Sequence, residues 1–146
     1  MKKITLSLIA LGLFNAAAAF AETPTPLPAA IAEHSGPIRI AVIRNLGSDD
    51  NTTQFVSGAI QEGKKLGFKI STFLSNGDDA KFQDFVNQAI SQKYDGIILS
   101  QGRDPYATAR VKKAVDAGIK VSVFDTAVNG QIPGVTVTQQ DDASLT

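Results

Sequence analysis

The chain has 146 residues, 14 basic and 14 acidic side chains, 43% hydrophobic residues and no cysteine. That length suits one domain with its own core, and the lack of cysteine excludes disulfides and a lipid-bearing thiol. A balanced charge and a single His exclude the basic surfaces that hold nucleic acid and the imidazole clusters that hold metals.

Residues 1–21 have the pattern of a secretory signal. Lys2 and Lys3 form a positive start, residues 4–20 are mostly apolar, and Ala19-Phe20-Ala21 offers a small-x-small cleavage site before Glu22. Thr5, Ser7, Gly12 and Asn15 interrupt a run that is short for a membrane anchor. Cleavage leaves 12 basic against 14 acidic residues, a net charge of −2. Neither nucleic acid nor an anionic membrane surface is then an expected partner, and the expected location is the periplasm of a Gram-negative cell. Residues 22–37 carry Pro24, Pro26, Pro28 and Pro37 and predict an extended linker. The folded domain is expected over 38–146.

Short apolar runs then alternate with amphipathic stretches. Residues 38–43 predict a first strand, with a polar loop from Arg44 to Asp50. A helix over 51–66 should bury Phe55, Ala59, Ile60 and Leu66, and Gly67 should end it. Residues 68–74 predict a second strand, Asn76-Gly77 a turn, and Asp78 or Asp79 the cap of a second helix. That helix turns Phe82, Phe85, Val86, Ala89 and Ile90 inward. Residues 94–100 predict a third strand buried on both faces. Pro105 then starts a helix that Gly118 stops near Ala117. The β-branched run ending at Phe124-Asp125-Thr126 is the fourth strand, and residues 135–138 after the Pro133-Gly134 turn are the fifth. This alternation predicts an α/β fold with a doubly wound parallel sheet. Residues 141–146 look like the cap and first turn of a further helix that is cut short, so the domain is expected to be truncated.

In such a sheet, ligands bind beyond the carboxyl ends of the strands. An acid at the end of the fourth strand, Asp125, therefore faces a crevice rather than a core; its plainer reading is a helix cap or a surface acid. Asp49, Asp50 and Asn51 follow the first strand at the same edge. They read either as a group for polyol hydroxyls or a cation, or as an N-cap cluster favoured by the helix dipole. Ser100, Gln101 and Arg103 follow the third strand as hydrogen-bonding candidates; the alternative is an Arg103–Asp104 loop pair with Tyr106 packed at the helix start. His34, the single His, lies in the linker as structural background. Ser-His and Cys-His nucleophiles are thus absent, as are Gly-x-Gly-x-x-Gly and Walker loops. A pair of carboxylates acting on a glycoside is the one enzymatic reading that remains, and no enzyme, metal or cofactor is expected.

Several pieces together carry a family resemblance. They are the export signal, Ile38-Arg39-Ile40-Ala41-Val42-Ile43, the Gly58-Ala59-x-x-x-Gly63-x-x-Leu66-Gly67 helix, Tyr94-Asp95-Gly96-Ile97-Ile98-Leu99-Ser100, and Phe124-Asp125-Thr126. In this order and spacing the chain resembles the type I periplasmic binding proteins, the sugar receptors of ABC importers, over their N-terminal lobe only. The resemblance implies two lobes closing on a ligand about a hinge. It implies that Asp125 accepts hydrogen bonds from ligand hydroxyls, with Thr126 standing where several members have Arg. It places the family's sugar-stacking aromatics at Asn51 and Thr52, so that platform is absent here. It also puts Gln140 and Asp142 near a hinge-side motif, Asp142 as a further ligand candidate. The expected partners are a carbohydrate-like small molecule and importer membrane subunits. The alternatives are a non-functional truncated lobe, or a chemoreceptor or quorum-signal binding protein of the same fold. A receiver domain is excluded by Ser100, where that fold needs an Asp. A repressor of the lac type would need a DNA-binding headpiece in place of the signal.

Overall fold

A computed structural model describes residues 29–47, 49–103, 106–126, 128 and 132–138. The elements are α1 (Ala29–Ala32), β1 (Arg39–Arg44), α2 (Asp50–Lys65), β2 (Lys69–Leu74), α3 (Asp79–Ser91), β3 (Gly96–Ser100), α4 (Tyr106–Asp116), β4 (Lys120–Phe124) and β5 (Val135–Thr138). All neighbouring strands are parallel, in the order β2-β1-β3-β4-β5. The doubly wound α/β sheet predicted from the alternation is therefore present. The expected signal over residues 1–21, Pro105, Asp142 and the expected C-terminal helical turn lie outside the described residues.

Sequence chemistry sets these elements. Asp49 caps α2 by accepting from the Thr52 amide at 2.6 Å, and Asp78 caps α3 by accepting from Lys81 at 3.0 Å. Ala41, Val42 and Ile43 are completely buried, as an interior strand covered on both faces requires. One face packs Ala41, Ile43, Ile97, Leu99, Val121 and Val123 against Phe82, Val86 and Ala89 of α3 and Val111 and Ala114 of α4. Phe85 and Ile90 are partly buried at its margin. Each large side chain buried here contributes about 1.5–3 kcal/mol by leaving water.

The other face carries α2, and there the structure departs from the pattern read in the sequence. The inward line of α2 runs through Thr52, Phe55, Ala59 and Gly63, while Ile60 and Leu66 are 45% and 36% exposed. Gly63 explains the tilt. A Cβ at this position would lie 2.3 Å from Cγ1 of Ile70, so only glycine lets the helix settle on β2. Because α2 sits toward the β2 side, Ile98 remains half-buried, not covered on both faces as expected. A groove of about 330 Å³ runs past Ile40, Ile98, Ser122 and Thr136. Two further differences are local. Residues 29–32 form a helical turn inside the segment expected to be extended. Arg44, expected to open the loop, is instead the last residue of β1, in register with Leu74 and Ser100.

Candidate functional site

In the strand order β2-β1-β3, α2 leaves β1 on one face while α3 enters β3 on the other. The chain diverges between β1 and β3, and at such a switch point a crevice opens beyond the carboxyl ends of the strands. The buried polar residues mark the same place. Arg44, Asn45, Thr52, Ser75, Ser100 and Thr126 are each no more than 2% exposed, and all stand at strand carboxyl ends or at the start of α2. Among the described residues no buried side-chain polar atom lacks a hydrogen-bond partner. Burying this many polar groups is costly unless each is paired, so the edge is an ordered network.

Its connections run across the whole edge. Arg44 donates through Nε to Thr52 Oγ1 at 2.9 Å and through Nη1 to Ser100 Oγ at 2.6 Å. Asn45 donates to Asp79 Oδ1 at 2.8 Å and accepts from the Ser75 hydroxyl, tying β1 to the start of α3. Thr126 turns its hydroxyl toward the carbonyls of Phe124 and Leu99 and accepts from the Gly102 amide at 3.3 Å.

Two neighbouring strand ends carry an unusual backbone. Gln101, just after β3, has φ 60°, and Asp125, just after β4, has φ 44°. Non-glycine residues are uncommon in this left-handed region, which here also holds Asn76 and Lys93 in turns, and residues held there cluster at functional sites. The Gln101 amide donates to Phe124 O at 3.3 Å and the Asp125 amide to Thr138 O at 3.2 Å. Gly102 holds the pair from below. A Cβ there would lie 2.8 Å from the Phe82 ring and 3.0 Å from the Thr126 methyl, so the loop lies directly on the core.

The residues singled out in the sequence sort accordingly. Asp125 and Gln101 are half-buried just beyond the carboxyl ends of β4 and β3. Asp49, Asp50 and Asn51 are exposed beside it in the first turn of α2. Asp49 does cap the helix, and the Thr52 amide, together with the Thr52 hydroxyl and the Arg44 charge, holds its carboxyl below the ordinary value of 3.8. Ser100 and Thr126 are buried and make internal hydrogen bonds that brace the edge. Arg103 is a surface residue 3.6 Å from Asp79; Asp104, its other expected partner, lies outside the described residues. Tyr106 is 48% exposed, not packed. His34 donates through Nε2 to Asp95 Oδ1 at 3.1 Å, at the opposite end of the sheet.

Arg44, Asn45 and Ser75 had no role in the sequence reading. A cation closing a run of β-branched residues reads as the start of a loop, and only the strand register shows that it lies inside. Among the described residues, no group of three or more His, Asp or Glu is placed to hold a metal ion, and no helix is long and apolar enough to cross a membrane.

A family model described as a periplasmic binding protein domain matches residues 40–145. The chain belongs to the periplasmic binding protein family. Solved relatives in this family are sugar ABC transporter proteins. One is a sugar ABC transporter structure from Yersinia enterocolitica subsp. enterocolitica 8081, 78% identical with a TM-score of 0.79, covering 84% of this chain and 37% of that one. A second is a 5-methylthioribose transporter solute binding protein from Thermotoga lettingae TMO in complex with 5-methylthioribose. It is 30% identical with a TM-score of 0.67, covering 72% of this chain and 33% of that one. An ABC transporter solute binding protein from Agrobacterium vitis with bound allitol shares the fold at 23% identity and a TM-score of 0.66, covering 75% and 37%. No curated protein matches the chain. The chain thus spans little more than a third of the periplasmic binding proteins it resembles.

Proposed function

We propose that this lobe binds a sugar or another polyhydroxylated small molecule at the carboxyl edge of its sheet, as the N-terminal part of the solute-binding component of an ABC importer. On this reading, the leader over residues 1–21 exports it to the periplasm. The observation that carries the proposal is the pair of left-handed, half-buried residues Gln101 and Asp125 on adjacent strand ends, above a buried polar network. A carboxylate accepts several hydrogen bonds and donates none, which suits hydroxyls that all donate. Gln101 adds both a donor and an acceptor. The polyhydroxylated ligands bound by the Thermotoga and Agrobacterium proteins support the same chemistry. No chemical step is proposed; binding is the function.

One lobe supplies half of the contacts of a two-lobed cleft and leaves the ligand wet, so affinity should be weak. The test is an NMR titration of the chain with pentoses, hexoses and pentitols at millimolar concentration. Shifts confined to residues 49–51, Gln101 and Asp125, and lost in Asp125→Ala, are the expected result. Calorimetry at micromolar sugar should show no heat of binding. Shifts elicited by amino acids or inorganic anions but by no sugar or polyol would overturn the hydroxyl-binding reading.

A further inference from the structure

Arg44 is an expensive residue to bury. Its side chain is 1% exposed, and a guanidinium taken out of water must recover its hydration through well-placed acceptors. Both of its described side-chain hydrogen bonds go to hydroxyls rather than carboxylates, one on α2 and one on β3. An alkyl side chain would fill the same space at the end of a β-branched strand with no such cost. The retained charge therefore calls for a role in what it touches.

Its contacts reach α2, β3 and the end of β2 directly, and β4 through one aromatic pair. Nη1 bridges to Ser100, directly across the β1–β3 switch point, and Ser100 precedes Gln101. Nε holds Thr52 Oγ1, while the Thr52 amide is bonded to Asp49. The guanidinium lies over the Phe55 ring at 4.8 Å, and Phe55 stacks on Phe124 at 5.5 Å, the residue before Asp125. The Arg44 carbonyl accepts from the Ser75 amide at 3.0 Å, fixing the end of β2. A planar fork donating in two directions while stacking on a ring is specific to arginine; a lysine ammonium reproduces one of these contacts at a time.

We infer that Arg44 is the positioning residue of the ligand edge, the single side chain that sets α2, β3 and β4 relative to one another so that residues 49–51, Gln101 and Asp125 converge. This rests on the hydroxyl-binding reading for its consequence, though not for its geometry. Arg44 does not touch the ligand in this proposal; it acts through Thr52, Ser100 and the Phe55–Phe124 pair.

Amide hydrogen exchange on the intact chain tests the geometry without any ligand. In Arg44→Met, which keeps bulk and removes the fork, exchange at Thr52, Gln101 and Asp125 should accelerate about tenfold or more by local opening, while Asp95 and Lys120 at the opposite edge keep wild-type rates. Ser100→Ala removes one arm only and should accelerate Gln101 while sparing Thr52; it decides the matter if Arg44→Met does not fold. Arg44→Lys should restore thermal stability without restoring slow exchange at both arms. Equal acceleration at the two edges, or none at either, would overturn the positioning role in favour of a general structural one. Titration with millimolar D-ribose adds the functional arm, with apparent affinity about tenfold weaker in Arg44→Met than in the wild type. If no sugar or polyol shifts the wild-type chain while the exchange pattern is as expected, the sugar reading fails and Arg44 as organiser of the edge stands.

Discussion

At the carboxyl edge of the sheet, Arg44, Asn45, Thr52, Ser75, Ser100 and Thr126 are buried and cross-linked by hydrogen bonds. At the amino edge, the buried residues are Tyr94 and Ile119, and a cavity of about 730 Å³ is lined by Ile31, Ile38, Ile40, Phe68 and Ile90, with Lys93 and Lys120 among its few polar groups. The His34–Asp95 pair and the Arg39 guanidinium over Tyr94 are half-exposed there. Apolar packing needs no exact partner, so the amino edge tolerates loose fit. A buried polar network tolerates very little, because each unpaired group costs on the order of 1–3 kcal/mol. The fold has placed its exacting chemistry at one end and its forgiving chemistry at the other, and the exacting end is the one proposed above to hold a ligand.

Phe82 joins the two kinds of construction, and removing it should have the largest effect. Its ring is 1% exposed in the α3 core and lies against the Gly102 backbone. Phe82→Ala should cost about 3–5 kcal/mol in denaturant unfolding, the usual range for emptying an aromatic site. If the contrast holds, amides of Gln101 and Asp125 should lose protection before those of Lys120 and Ile119. Uniform loss would show that the edges do not differ in tolerance.

A smaller effect separates two adjacent residues of α2. Thr52 is buried and accepts from Arg44, whereas Asn51 is exposed. Thr52→Phe overpacks the site and removes an acceptor, so a loss of about 1–3 kcal/mol is expected. Asn51→Phe should stay within about 0.5 kcal/mol of the wild type and supply a ring on which a sugar face can stack. Thermal melts of the pair check the first statement. A gain in pentose or hexose affinity for Asn51→Phe alone checks the second.

The same residues show what was legible beforehand. Hydrophobic alternation and turn chemistry located all five strands and the three long helices, because β-branched runs and N-cap aspartates act locally. That Asp125 and Gln101 stand at strand ends follows from topology. Their left-handed backbone does not, since the bonds made there, from the Gln101 amide to Phe124 O and from the Asp125 amide to Thr138 O, join segments distant in sequence. The burial of Ser100 and Thr126 was hidden for a related reason. A hydroxyl at a strand end looks the same whether it meets a ligand or a buried guanidinium.

Titration should move stability less than Thr52→Phe. The Asp49 carboxyl is held below 3.8, chiefly by the Thr52 amide. A group whose folded value is depressed binds protons more readily when unfolded, so its contribution is complete above 3.8 and is lost as pH falls through the lower folded value. Asp49→Asn keeps a capping oxygen that does not titrate. Melting temperatures of the two proteins should therefore converge as the pH enters the carboxylate range, with Asp49 ahead at neutral pH. Parallel curves would mean that the cap carries no charge dependence.

The smallest effect belongs to the amino edge. His34 and Asp95 meet at 3.1 Å with about a third of each side chain exposed, and exposed pairs of this kind are worth roughly 0.2–1 kcal/mol. Asp95 keeps a second bond to the Arg39 amide at 2.8 Å, so removing the imidazole leaves its carboxylate partnered. His34→Ala should lower the melting temperature slightly and leave the amides of Thr52, Gln101 and Asp125 unchanged. A shift of those distant amides would mean that the two edges are coupled through β1, and that the carboxyl edge owes part of its order to the segment that precedes the sheet.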